Sequence, residues 1–168
     1  MSDLSPEDLE LRDRLIAEGN VRGQAIIEVA GDEEGAPYTF SVGAWRRYGI
    51  PEAVTIGLPE GAGRYLVETY IHRASQGEEF PPGQVWDDLL EGVLVTVERV
   101  NKGHYFEFFG SVFLVHPEGD FDAVQLITAT PQDDWPWEAD APPGFDVWQP
   151  VLTESGLPES WTPGVNGP

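Results

Sequence analysis

The sequence predicts a single α+β domain, a curled antiparallel sheet of barrel-like curvature packed by two or three helices. Three observations lead there. Strand-like runs recur at 21–30, 38–43, 53–58 and 93–100, each bounded by Gly, Pro or Asn. A helical stripe occupies 59–76. The 168 residues, 40% of them apolar, suffice for one core. The domain is expected to span 1–150, with 151–168 a flexible C-terminal tail.

The elements follow in order. Ser5-Pro6-Glu7-Asp8 opens a helix: Ser5 can cap, Pro6 suits the first helical position, and the acids favour the positive end of the dipole. Gly19-Asn20 is its expected stop. In "YTFSVG", Tyr38, Phe40 and Val42 point to one face, and Thr39, Ser41 and Gly43 to the other. On the 59–76 helix, Leu66, Val67, Tyr70, Ile71 and Ala74 share a face that should lie on the sheet. "VWDDLLEG" reads as a short turn of helix. Residues 111–115 and 121–129 read as an antiparallel pair joined at His116-Pro117-Glu118-Gly119-Asp120. After Thr130 come Trp135, Trp137, Trp148 and Trp161. Each offers roughly 150–250 Å² to bury, so this region should wrap over the domain as far as Pro150.

Composition narrows function. A formal charge of -21 repels nucleic acid and anionic lipid and attracts basic partners. No apolar run approaches the roughly 20 residues needed to cross a bilayer, and "MSDLSPEDLELRD" lacks the basic and apolar regions of a secretion signal. A cytoplasmic protein is the expectation. Without cysteine there is no disulfide, thiolate nucleophile or Cys-based metal site.

His104, beside Tyr105 in an aromatic cluster, and Glu91, in the acid group Asp87, Asp88 and Glu91, are the candidate acid–base residues. His72 reads as a solvated flank residue and His116 as a turn residue. The three histidines have no metal-ligand spacing, so no metal is expected, and no cofactor is assigned. Nine Lys and Arg serve the whole chain, yet Arg46 and Arg47 are adjacent, directly after Trp45. With Thr39, Ser41, Trp45 and Tyr105 they make a candidate site for an anionic, planar small molecule. A salt bridge to the Asp87–Glu91 acids is their structural alternative. "GLPEGAGR" lacks the Lys-Ser/Thr of a phosphate loop.

The series "YTFSVG", "PE", "GLP", "LLEG", "HY", "QL", "PWE" and "QP" resembles an uncharacterised bacterial domain family of unknown function. The matches run through Tyr38, Thr39, Val42, Gly43, Pro51, Glu52, Gly57, Leu58 and Pro59, and later Leu90, Glu91, Gly92, Tyr105, Gln125, Leu126, Pro136, Trp137 and Glu138. The resemblance covers about 38–150. Ile50 stands where that family often has His, and Ala44 where it has Leu. The arginine pair lies outside the shared positions. The resemblance implies a shared scaffold and carries no activity.

Two functions are therefore expected. One is a bacterial accessory protein with a small-molecule pocket near 38–47. The other is an acidic immunity or inhibitor protein that binds a basic protein partner, motivated by a chain with no Lys or Arg after Lys102.

Overall fold

The computed structural model describes residues 4–22 and 24–168; Met1–Asp3 of the acidic opening and Gly23 of the first expected strand lie outside the described residues. Helix α1, Pro6–Arg22, begins with a reciprocal cap. Ser5 Oγ accepts from the Asp8 amide at 3.1 Å, and the Asp8 carboxylate accepts from the Ser5 amide at 3.4 Å. The helix runs through the expected stop at Gly19-Asn20, so the first strand is shorter than its pattern.

Strands β1 (Ala25–Val29), β2 (Tyr38–Val42) and β3 (Glu52–Ile56) form the expected antiparallel meander, with a one-turn helix α2 (Ala44–Tyr48) between the last two. Helix α3 is Ala62–Ser75. Then come β4 (Val85–Leu90) and β5 (Val93–Arg99), a 3₁₀ turn at Lys102–His104, α4 (Tyr105–Phe108), α5 (Val112–Val115), β6 (Ala123–Thr128) and α6 (Phe145–Trp148).

The sheet order is β1-β2-β3-β6-β5-β4. β6 inserts beside β3 in parallel, with Glu52 opposite Ala123 and Val54 opposite Gln125, so the sheet is mixed. It is also open: β1 and β4 remain edges, and the barrel-like closure expected from sequence does not form. Two further expectations are corrected. "VWDDLL" is the edge strand β4, paired with β5 around a bulge between Trp86 and Leu90. Residues 112–115 are helical, not a strand. Short apolar runs of this kind carry no decisive period, and tertiary pairing settles them.

α3 explains how both edges are kept from further pairing. In its first turn Arg64 reaches the β1 carbonyl of Ile26 at 3.2 Å and the Glu28 carboxylate at 2.7 Å. In its last turn Arg73 binds the Asp88 carboxylate of β4 at 3.0 Å and that residue's carbonyl at 3.4 Å. One helix thus bars both edges with charged side chains.

The two sheet faces are covered differently. Leu66, Val67, Tyr70 and Ile71 of α3 pack on Ala53, Val95, Val97 and Leu126. The α3 face includes Thr39, and a Cβ on Gly63 would collide with its Oγ1, so this glycine lets helix and sheet approach. On the opposite face, α1, α4 and α5 bury Phe40, Val42, Val54 and Ile56 with Tyr105, Phe109 and Phe121. The rest of that face is covered by the C-terminal segment.

The segment from 151 onward, expected as a flexible tail, carries packed anchors. Val151, Leu152, Thr153 and Trp161 are buried. Gln125 of β6 donates to Pro150 O and accepts from the Leu152 amide, both at 2.8 Å, so its amide acts as one more strand rung. The buried Glu98 carboxylate accepts from the amides of Glu159 (2.8 Å) and Ser160 (3.0 Å) and from Ser160 Oγ. Leaving such groups unpaired costs about 1–3 kcal/mol each, which is why the chain end follows these side chains.

Candidate functional site

The motif "YTFSVG…PE" builds a buried junction. Glu52 is fully buried. Its carboxylate accepts from Ser41 Oγ at 2.7 Å and from the amides of Gly43 (2.9 Å), Ala44 (3.1 Å) and Trp45 (3.3 Å). Ser41 Oγ in turn accepts from the Ala53 amide at 2.9 Å. The carboxylate therefore supplies the N-terminal cap that Gly43, lacking a side chain, cannot give α2. Burial pushes the Glu52 pKa up to about 7, against the four donors that pull it down.

The residues singled out in the sequence are placed as follows. Thr39 and Ser41 lie buried on the α3 face. Trp45 packs, half-buried, on the opposite core, while Arg46 and Arg47 sit exposed in the last turn of α2. Tyr105 is buried among aromatics and donates to Phe121 O at 3.2 Å. His104 Nε2 lies 3.0 Å from Thr153 O and anchors the C-terminal segment. Glu91 is exposed in the β4–β5 turn, so β5 runs between it and His104 and the two do not meet. Asp88, of the acid group, holds Arg73 at 3.0 Å.

Concavity near "YTFSVG" lies instead at its N-terminal end. A cavity of about 290 Å³ lies between the 30–36 loop and α6, walled by Tyr38, Phe108 and Trp148 and by the acids Asp32, Glu34 and Glu107. Val29, Ala30 and Tyr38 separate it from a 450 Å³ cavity bordered by Glu28, Pro59 and Glu60. No lysine or arginine lines either, among the described residues. The cleft sits at the carboxyl end of β3, where it leaves its parallel partner β6. Ligands of open sheets with parallel strands collect at such ends.

Local chemistry fixes these walls. Asp32 Oδ1 accepts from the amides of Glu34 (2.8 Å) and Gly35 (3.0 Å), which folds the loop. Tyr38 donates to Glu107 O at 3.2 Å, and its hydroxyl pKa is raised by burial, then by Glu107 and Asp32. Trp148 Nε1 donates to Gly57 O at 3.0 Å. Gly57 has φ 88°, and a Cβ there would strike the indole, so the Gly of "GLP" makes room for Trp148. Trp148 is still 49% exposed, beside an exposed Val147. Glu107 carries no sequence signal for this cleft, and Trp148, expected only to pack over the domain, is placed in it by the contact with Gly57.

A larger cavity of about 650 Å³ opens among Pro136, Trp137, Pro142, Gly144 and Leu157. No strand residue lines it, whereas Val29, Tyr38 and Ile56 give the Tyr38 cleft a floor on three strands, with loop and one-turn-helix residues as its walls. Among the described residues no group of three or more His, Asp or Glu is placed to hold a metal ion. Nor is any helix among them long and apolar enough to cross a membrane.

The fold and junction define an α+β domain with an open, mixed six-stranded sheet and a glutamate-capped turn. Residues 20–142 match the family described as "Domain of unknown function (DUF4262)", and the chain belongs to that family. No curated protein and no solved structure matches it.

Proposed function

We propose that this protein is a binding module that takes a cationic side chain of a basic protein partner in the Tyr38–Trp148 cleft. One observation carries the reading: an aromatic-walled cavity at the end of a rigid strand has three carboxylates around it and no cation in its lining. An arginine guanidinium could stack on the half-exposed indole while Asp32, Glu34 and Glu107 supply opposite charge. Such a cation–π contact contributes about 0.5–2 kcal/mol depending on desolvation. The -21 charge of the chain adds long-range steering toward a basic surface. The sign of the cleft favours the acidic immunity or inhibitor role over an anionic ligand near 38–47. The bacterial cytoplasm is the setting this reading assigns.

Calorimetric titration with an arginine-bearing peptide, and with the same peptide carrying neutral citrulline, tests it. The arginine peptide should bind, weaken at high salt, and lose about tenfold in affinity with Trp148→Ala or Glu107→Gln. Equal binding of both peptides, or indifference to Trp148→Ala, would sink the reading.

A further inference from the structure

We propose that the cleft where β5 ends is a second binding site, for the oxyanion group, carboxylate or phosphate, of a small molecule. It encloses about 370 Å³ and is lined by Pro51, Arg99, Lys102, Tyr105 and Asp122 among others. Through Pro51, Arg99 and Val124 it adjoins a 340 Å³ cleft walled by Ile50, Tyr70 and Phe80. Volumes of about 300 Å³ and above are in the range of small-molecule sites.

Two of the nine cations meet here: Arg99 closes β5, and Lys102, the sole lysine, opens the 3₁₀ turn. Arg12, Arg64 and Arg73 each have a carboxylate partner. Among the described residues neither Arg99 nor Lys102 forms an ion pair, although the chain carries 30 Asp and Glu. Their donors are thus available to a ligand. A guanidinium fork can hold a carboxylate or phosphate by two parallel bonds, and the ammonium adds a point charge beside it.

The surroundings set the rest of the ligand. Val100, Ala123 and Val124 give the cationic cleft an apolar lining. Asp122 lines it too, without pairing to either cation, so it limits the anionic charge the site tolerates and can accept from a hydroxyl or ammonium next to the oxyanion. The adjoining cleft offers Ile50, Tyr70 and Phe80 to an apolar body; Glu78 and Glu79 line it too, the first held by Arg73 at 2.7 Å, so the anionic group belongs on the Arg99–Lys102 side. Beyond about 8 Å the field of the acidic surface is screened at physiological ionic strength, so the groups lining the cleft, Arg99 and Lys102 against Asp122, leave it a local excess of positive charge. The proposal is independent of the acidic cleft, which lies at the other end of β3.

Amide chemical shifts of the full chain, followed by NMR while inorganic phosphate or benzoate is added at physiological ionic strength, test the site. Saturable shifts are expected around Arg99, Lys102 and Ala123. Affinity should fall about tenfold in Arg99→Gln and in Lys102→Gln, and stay unchanged in Arg47→Gln. Saturation by phosphate alone or by benzoate alone assigns the oxyanion class. Arg99 and Lys102 are exposed, and the rest of each spectrum reports whether the variant is folded. If neither probe saturates, or if both variants bind as the wild type does, there is no such site.

Discussion

Of the two ends of strand β3, one brings cations to its cleft and the other has only acids. At its start, Pro51 borders a cleft carrying Arg99 and Lys102; at its end, Ile56 borders a cleft ringed by Asp32, Glu34 and Glu107. Between them lies Glu52, whose carboxylate is used up in holding backbone amides. The contrast teaches that the motif residues divide between two tasks. Ser41, Gly43 and Glu52 make the turn, Tyr38, Pro51 and Tyr105 line the clefts, and the charged groups there come from loops, one-turn helices and a strand end.

The largest effect should come from the junction itself. Glu52→Ala strands four donors and leaves a cavity, and should cost about 3–4 kcal/mol in urea unfolding near pH 5. Because the folded pKa, about 7, lies above the ordinary 4.5, the native state holds the proton more tightly than the unfolded chain. The stability contributed is complete below pH 4.5 and is lost as pH rises to about 7. The deficit of Glu52→Ala should therefore narrow between pH 5 and pH 8; a constant deficit would remove Glu52 as its source.

Gly57→Ala should act next, and on one end only. A side chain at φ 88° is strained and meets the Trp148 indole, costing about 1–3 kcal/mol. Arginine-peptide binding should fall with it while oxyanion-induced shifts at Arg99 persist. Loss of both would show that the two ends are coupled through β3. The smallest effect is expected for Arg47→Gln on the exposed turn of α2: within about 0.5 kcal/mol, with both clefts intact. A clear loss of ligand binding in this variant would restore the arginine pair as a site.

Legibility followed the range of the forces involved. Alternation in "YTFSVG" and the stripe from Leu66 to Ala74 are local, and both elements form where expected. The α3 face of β2 is nevertheless buried, because Gly63 lets the helix press onto Thr39; Ser41 is fully enclosed there, whereas Thr39, though buried, still lines the 450 Å³ cavity. "VWDDLL" and "VFLV" carried too little period to decide between helix and strand. Tryptophan content points to packing of the region after Thr130, whereas the anchoring of the segment beyond Pro150 depends on Gln125 and Glu98, which reach it only across the sheet.

The sequence by itself determined an acidic α+β domain, the α3 core face, the β1–β2–β3 meander and the glycine-bearing turns, because burial periodicity and backbone sterics act over a few residues. Only the tertiary structure decided that β6 lies parallel to β3, that Glu52 caps α2, and that Arg99 and Lys102 reach a cleft at one end of β3 while the cleft at its other end has acids and no cation in its lining. Those outcomes depend on buried polar groups finding partners tens of residues away, and chain spacing does not encode which partner comes within reach.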